Sequence, residues 1–407
     1  MNVLFLTLID VESIEERNIY TDLLREFVKN GHRIYLISPV ERRKKQNTYL
    51  ISEFNSIILK LKIGNIQKTN IIEKGISTIS IESRFIMGIK KYFKNVRFDL
   101  VLYSTPPITV FKVVEYIKKR DSARTYLLLK DIFPQNALDI GLLSKSGLKG
   151  VLYKYFRKRE KKLYAISDRI GCMSEANVAY ILKHNPEITS AKIEVCPNSI
   201  EPIDMSISIQ EKMAIRDKYN IPQDKIVFIY GGNLGKPQGI DFMLQCLQSQ
   251  KFNESVFFTI VGNGTEYMHI QNYIKKNDLA NVCLHQWLPK DDYNKVVASC
   301  DIGLIFLDYR FSIPNFPSRL LSYMNARLPV FAVTDIATDI GKLIVEKKFG
   351  WWCESNNVEK FSKKVGEINI INKSMGNLAY RILVKEFNVK NTYKIIMKNN
   401  LANIENK

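Results

Sequence analysis

Short, continuous apolar runs alternate with helix-like segments along almost the whole chain, and they do so in two series. The first series reads "NVLFLTLI", "GHRIYLISP", "FDLVLYSTPP", "ARTYLLLKDIFP", "RIGCMS" and "KIEVCPNS". The second reads "IVFIYGGNLG", "VFFTIVGNG", "VCLHQWLP", "DIGLIFL" and "LPVFAVTD". Strands that are apolar on both faces, separated by helices, imply parallel sheets covered on both sides. The pattern loosens over 198–224, where a linker and a lead-in helix are expected. The chain thus reads as two open parallel-sheet domains in tandem, and 407 residues suffice for both. Sheets of this kind bind ligands beyond the C-terminal strand ends, so a cleft between the domains is the expected place for chemistry.

Composition narrows the class. The first 200 residues hold 34 basic and 20 acidic side chains, against 26 and 21 in the rest. A basic first half calls for an anionic partner: nucleic acid, acidic lipid or a phosphorylated substrate. Six cysteines without a C-x-x-C pair predict reduced, mostly buried thiols and a cytoplasmic setting. No run approaches the length of a membrane span. "MNVLFLTLID" lacks a basic start and meets Asp10, so it is expected to be a first strand rather than a signal peptide.

Several chemistries lose support. D-x-D is absent, and with it the usual acidic clamp for a divalent metal on a nucleotide sugar. The four histidines have no metal-ligand spacing. No G-x-G-x-x-G, Walker loop or G-x-S-x-G elbow appears, against dehydrogenase, kinase and hydrolase readings.

What remains lies at the predicted strand ends. "YGGNLGKPQGID" (230–241) runs from strand through a glycine turn into a helix, which suits an anion or a simple connection. Gly231, Gly232 and Asn233 are its candidate contacts, and Lys236 adds a charge. "VGNGTE" offers Gly262 and Gly264, as a tight turn of positive φ or as ligand contact. "PNFPSRLLSYMNARLPV" (314–330) stiffens a helix start with Pro314 and Pro317. Ser318 is expected to cap the helix or to stand in its first turn, and the free N–H groups there form an anion site with the forked cation Arg319 beside it. In the first half, Asp131 of "LLLKDIFPQNALDIGLL" follows a strand, either facing the cleft or capping a helix at 135–138. Asp10 and Glu12 follow strand one.

Two segments mix apolar and basic residues at helical spacing. For 84–97, with Phe85, Ile86, Ile89 and Phe93 against three lysines, docking on a membrane surface competes with packing on the core. For 147–164, with Leu148, Leu152 and Tyr155, the packed reading is preferred.

Taken together, the tandem sheets, the glycine turn, "VGNG" and "PSRLLSYMNARLPVFA" resemble the GT-B glycosyltransferases, in particular the retaining GT4 group. "DIFPQNALDIGLL" with "GGNLGKPQGID" looks like the transferases of capsule and O-antigen synthesis, including the N-acetylfucosamine transferase branch. The likeness departs from the group's E-x7-E frame: Pro314 and Ser322 stand where the glutamates would be, while Phe316 keeps its place. Asn233 and Gln238 align with the group's arginine and lysine, which leaves Lys236 and Arg319 as cations.

The resemblance implies an α/β fold of GT-B type, two Rossmann-like domains with parallel sheets facing a central cleft. Residues 1–200 would bind the acceptor and face the membrane, 201–375 would bind the donor, and 376–407 would form C-terminal helices packing back across the domains. The expected reaction is metal-independent transfer, with retention, from a UDP-sugar to a polyprenyl-diphosphate-linked saccharide. The sugar would be an N-acetylated deoxyhexosamine such as N-acetylfucosamine. The setting would be the inner face of the cell membrane, with an anionic lipid surface and no nucleic acid as partner. Arg319, Lys236 and Asp131 are the expected catalytic residues. Gly231, Gly232, Asn233, Gly262, Gly264, Asn315, Phe316, Pro317, Ser318 and Ser322 are expected on the donor, and Asp10 with Asp131 on the acceptor. Two alternatives stay open: a UDP-sugar 2-epimerase of the same fold, which turns over without an acceptor, and a basic nucleic-acid-binding protein.

Overall fold

A computed structural model describes residues 1–66, 71–368 and 373–401. The chain forms two compact units, Met1–Glu201 with the segment from Val389, and Pro202–Asn388.

Among the described residues the first unit holds eight strands: β1 (Asn2–Leu6), β2 (Arg33–Glu41), β3 (Tyr49–Glu53), β4 (Ser56–Ile63), β5 (Leu100–Ser104), β6 (Arg124–Leu129), β7 (Arg169–Cys172) and β8 (Ile193–Val195). Their order is β3-β4-β2-β1-β5-β6-β7-β8. All pairs are parallel except the β3–β4 hairpin. That hairpin lies in a stretch whose strands the sequence did not announce. β3 is an edge strand with alternating exposure, and β4 carries Lys60 and Lys62 among its apolar residues. Lys60 is nevertheless wholly buried, because Asp10 and Glu12 reach its ammonium.

The second unit holds β9 (Ile226–Asn233), β10 (Val256–Asn263), β11 (Val282–His285), β12 (Ile302–Phe306), β13 (Val330–Thr334) and β14 (Gly350–Glu354), in the order β11-β10-β9-β12-β13-β14 and all parallel. This is the doubly wound α/β architecture the alternation predicted. The β9–β10 register pairs Gly232 with Gly262 and Asn233 with Asn263. The two glycine turns therefore stand side by side at one sheet edge.

Several elements differ from expectation. The amphipathic stretch after β1 is helical only over Thr21–Lys29. Asn18 Oδ1 accepts from the amides of Tyr20 and Thr21 and keeps the preceding residues in turns. In the lead-in segment, Ile209–Lys218 is a helix with a Ser208–Glu211 capping box. The C-terminal stretch does not pack as one body. Helix Lys373–Glu386 stays with the second unit, where Phe387 lies 5.8 Å from Phe316. Helix Val389–Leu401 returns to the first, with Tyr393 against Phe27 at 4.9 Å and its hydroxyl 2.9 Å from His32 Nε2. The cysteines are free thiols; Cys283 is half-buried and the other five are buried.

The basic helices reverse their expected roles. In the helix Ile71–Tyr92, Phe85 and Ile89 are buried, and so is Phe93 just beyond it. Its apolar face is core, which corrects the reading of 84–97 as a membrane-docking face. In the helix Gly147–Ile166, Leu148, Leu152 and Tyr155 are exposed instead of packed.

Candidate functional site

The second unit gathers a cation onto its first glycine turn. Gly231 and Gly232 stand near the C-terminal end of β9, and Gly232 has φ +125°, which side-chain-bearing residues rarely adopt. A Cβ on Gly232 would stand 3.3 Å from Arg319 Nη2 and 3.4 Å from its Cζ; one on Gly231 would collide with the Tyr293 hydroxyl. The glycines thus let Arg319 and Tyr293 close on bare backbone. Arg319 comes from the short helix Arg319–Asn325, and its guanidinium lies 4.3 Å over the Tyr230 ring. Its Nη1 is buried without a hydrogen-bond partner, and no carboxylate pairs with it among the described residues. A fixed cation without a counter-anion, laid on a glycine turn, is chemically an anion site.

Tyr323 builds this arrangement from below. Its ring fills the space a Cβ on Gly303 would need. Its buried hydroxyl accepts the Gly231 N–H and donates to Leu304 O, both at 3.0 Å. One side chain so fixes the Arg319 helix to both β9 and β12. Nothing in the local sequence singles out Tyr323, since the partner of its hydroxyl is set by sheet order.

The proline-flanked entry is held by a relay the sequence did not reveal. Asp335, buried just past β13, accepts from Thr338 N at 2.8 Å and from Thr338 Oγ1 at 3.0 Å; Thr338 Oγ1 in turn accepts the Asn315 amide at 3.0 Å. Burial pushes the Asp335 carboxyl up to about 6 against these hydrogen bonds.

Three expectations for this entry need correction. Ser318 makes no side-chain cap. The helix-start amides are not all available: Leu320 N–H donates to Pro317 O and Leu321 N–H to Ser318 O, while those of Ser318 and Arg319 meet no protein acceptor among the described residues. Phe316 turns its ring into the core against Phe387, so it anchors the loop instead of facing a ligand. Pro317 is half-buried, as is Ser322, which reaches the Tyr293 hydroxyl.

The rest of the glycine region is more closed than its composition suggests. Asn233 Nδ2 and the Gly235 amide both donate to Gln238 Oε1, at 3.2 and 3.1 Å. The two positions aligned with the group's cations thus clasp each other. Lys236 stands exposed in the short turn Lys236–Gln238 between them. Gly262 and Gly264 do not have positive φ. They are glycines because a Cβ would strike Gly232 O at 2.0 Å and Leu234 O at 2.1 Å; "VGNG" buttresses the first turn. A further cation, Arg310, was not among the candidates. It is half-exposed on the loop after β12, forked onto Asp308 at 2.8 and 2.6 Å, and Asp308 packs against Gly239.

The first unit carries the two carboxylates. Asp131 follows β6 and accepts from Asn136 Nδ2 with both oxygens at 2.8 Å. Its backbone is held at both ends by Thr105 Oγ1, which donates to Asp131 O and accepts from Asp131 N. It tethers the helix Gln135–Asp139 without capping it. Burial raises the Asp131 carboxyl to about 6, the Ile132 amide and Asn136 opposing and the charge of Glu160 adding. Asp10 is different: Lys44 and Lys60 bind it, and against the upward push of burial they hold it below its usual range. Neighbouring Lys130 is half-buried, and burial pushes its ammonium down, opposed by the nearby Cys196 and Cys172. Among the described residues no group of three or more His, Cys, Asp or Glu could hold a metal.

This assembly, two doubly wound units with the Arg319 guanidinium on a glycine turn of the second, has relatives. Residues 211–381 match the family described as "Glycosyl transferases group 1". The probable glycosyltransferase WbjE of Pseudomonas aeruginosa is 24% identical over 332 residues, 80% of each chain. The putative colanic acid biosynthesis glycosyl transferase WcaI of Escherichia coli K12 is 20% identical over 249 residues, 60% of each. Among solved structures, sucrose-phosphate synthase of Thermosynechococcus elongatus superposes with TM-score 0.76 over all of both chains at 10% identity. Anabaena HepE, in complex with UDP and glucose, does so with TM-score 0.69 over 98% of this chain and 99% of its own at 14% identity. The fold is of GT-B type, and the second unit is similar to the group 1 glycosyltransferases over residues 211–381.

Proposed function

We propose that this chain moves a sugar, with retention and without a metal, from a UDP-sugar to a polyprenyl-diphosphate-linked saccharide during synthesis of a surface polysaccharide of capsule or O-antigen type. One observation carries the reading: the Arg319 guanidinium, lacking a counter-anion among the described residues, rests on the Gly231–Gly232 turn. Departure of a nucleoside diphosphate builds negative charge on its phosphate oxygens, and a preorganised donor at such a point is worth about 10²–10³ in rate. Arg319 would supply it, helped by the Ser318 and Arg319 amides and by Lys236. Asp131 would orient the acceptor hydroxyl from the first unit. The UDP in the HepE structure and the colanic acid role in WcaI's name support donor and pathway class. The sugar proposed is an N-acetylated deoxyhexosamine.

Thermal unfolding with UDP, GDP, dTDP and CMP in the presence of EDTA tests the donor site. UDP at 100 times its dissociation constant adds about 2.7 kcal/mol to wild type, and Arg319→Ala abolishes the shift. No shift with any nucleotide overturns the reading. Turnover of UDP-sugar without an acceptor would instead favour the epimerase.

A further inference from the structure

We propose that the first half of the helix Gly147–Ile166 is the face by which this chain docks on an anionic phospholipid surface. The inference rests on the lipid-linked acceptor proposed above and names the surface that would reach it. Leu148 is 91% exposed and Val151 67%, with Leu152 and Tyr155 at 44% and 37%. Their spacing of i, i+3, i+4 and i+7 lays them in one stripe along the helix. The opposite side, with Gly150, Glu160, Leu163 and Tyr164, is buried. Leu142, just upstream, is 50% exposed.

Charge selects the occupant. Residues 141–162 hold eight basic side chains and one acid, and that acid, Glu160, is buried and paired with Arg157. Lys145, Lys149, Lys154 and Lys158 are exposed and make no ion pair among the described residues. Apolar residues flanked by lysines match a bilayer surface: the hydrocarbon takes the stripe while the ammonium groups meet anionic headgroups. A second copy of this chain would bring lysines against lysines. A stable protein interface also engages about 20–30 residues a side, many more than this stripe has.

Position supports the assignment. Phe156 of this helix packs on Phe133 at 4.9 Å, and the Tyr153 hydroxyl donates to Gln135 Oε1 at 3.0 Å. Phe133 and Gln135 flank the turn that follows Asp131. The docking face is therefore mechanically joined to the carboxylate proposed to meet the acceptor, and a lipid-anchored diphosphate sugar would approach from that side. No helix among the described residues is long and apolar enough to cross a membrane, so contact at the surface is the mode this face offers.

The test is co-sedimentation of the full chain with vesicles of phosphatidylcholine alone or mixed with phosphatidylglycerol. Wild type is expected on the mixed vesicles and not on the neutral ones. Leu148→Asp with Val151→Asp should weaken partitioning about tenfold or more, while Phe252→Asp, equally exposed on the second unit, should not. Absence of wild-type binding, or equal loss in Phe252→Asp, overturns the proposal. So does undiminished binding by the double variant. A wild-type dimer that the double variant turns to monomer assigns the face to a second copy and also overturns it. UDP stabilisation is measured on the same samples: its persistence without vesicle binding sinks only the docking face, and its loss with vesicle binding sinks only the donor reading.

Discussion

Asp10 and Asp131 stand at the same end of one sheet, after β1 and β6, with β5 between, and their electrostatics are opposite. Asp10 is neutralised by Lys44 and by Lys60, which the fold buries completely to reach it. The Asp131 carboxylate accepts from neutral donors, Asn136 Nδ2 and the Ile132 amide, and feels a like charge at Glu160. The first arrangement is what a chain needs to close a loop over a buried lysine. The second leaves an uncompensated carboxylate whose proton is in play near neutrality, the condition expected of a group that exchanges protons with a substrate. Arg319 is the same device with the opposite sign. Its charge rests on a tyrosine face and glycine backbone, with no carboxylate paired to it among the described residues.

The sharpest way to break this contrast is to neutralise each carboxylate in turn. Asp131→Asn should lower acceptor-dependent UDP release by about 10²-fold or more and leave UDP stabilisation unchanged. Asp10→Asn should leave turnover within a few-fold of wild type and lower the unfolding temperature. Equal effects in the two assays would erase the distinction.

Next in size is the scaffold of the Arg319 site. Tyr323→Phe strips a partner from Gly231 N–H and Leu304 C=O, both buried, at about 1–3 kcal/mol in urea unfolding. Weaker UDP stabilisation should accompany it. An unchanged midpoint would show that β9 and β12 hold without the bridge.

The pH dependence sharpens the same comparison. Asp131 has its folded pKa raised from 3.8 to about 6. Its ionised form is disfavoured in the folded state, so its contribution to stability declines as pH rises from about 4 to about 6 and is constant above. Asp10 has its folded pKa lowered, so its stabilisation is present above 3.8 and is lost as pH falls below that value. Unfolding temperatures of wild type, Asp131→Asn and Asp10→Asn between pH 3 and 7 should separate the two signs. Turnover should fall below pH 6 with a single ionisation.

The smallest expected effect is at the loop relay. Asp335→Asn keeps an acceptor for Thr338 and should raise the KM for donor a few-fold with little change in kcat. A loss confined to kcat would place Asp335 in the chemistry instead.

The order of strands and helices was legible because a strand covered on both faces has no polar period to confuse it, as in "IVFIY" and "DIGLIF". The glycine turn, Arg319 and Asp131 could be named as candidates because strand ends are where such sheets place chemistry. The β3–β4 hairpin was not, since its lysines disguise a buried strand. Nor were the true reasons for Gly262 and Gly264, which lie in Gly232 and Leu234 on the neighbouring strand. Local sequence carries turn propensity and charge, and these determined the fold class and the candidate ions. Which ion finds a partner depends on residues far apart in the chain, such as Lys60 for Asp10 or Tyr323 for Gly231. Only the tertiary structure could decide that Arg319 and Asp131 meet no counter-charge among the described residues, and that the helix Gly147–Ile166 shows its leucines to solvent.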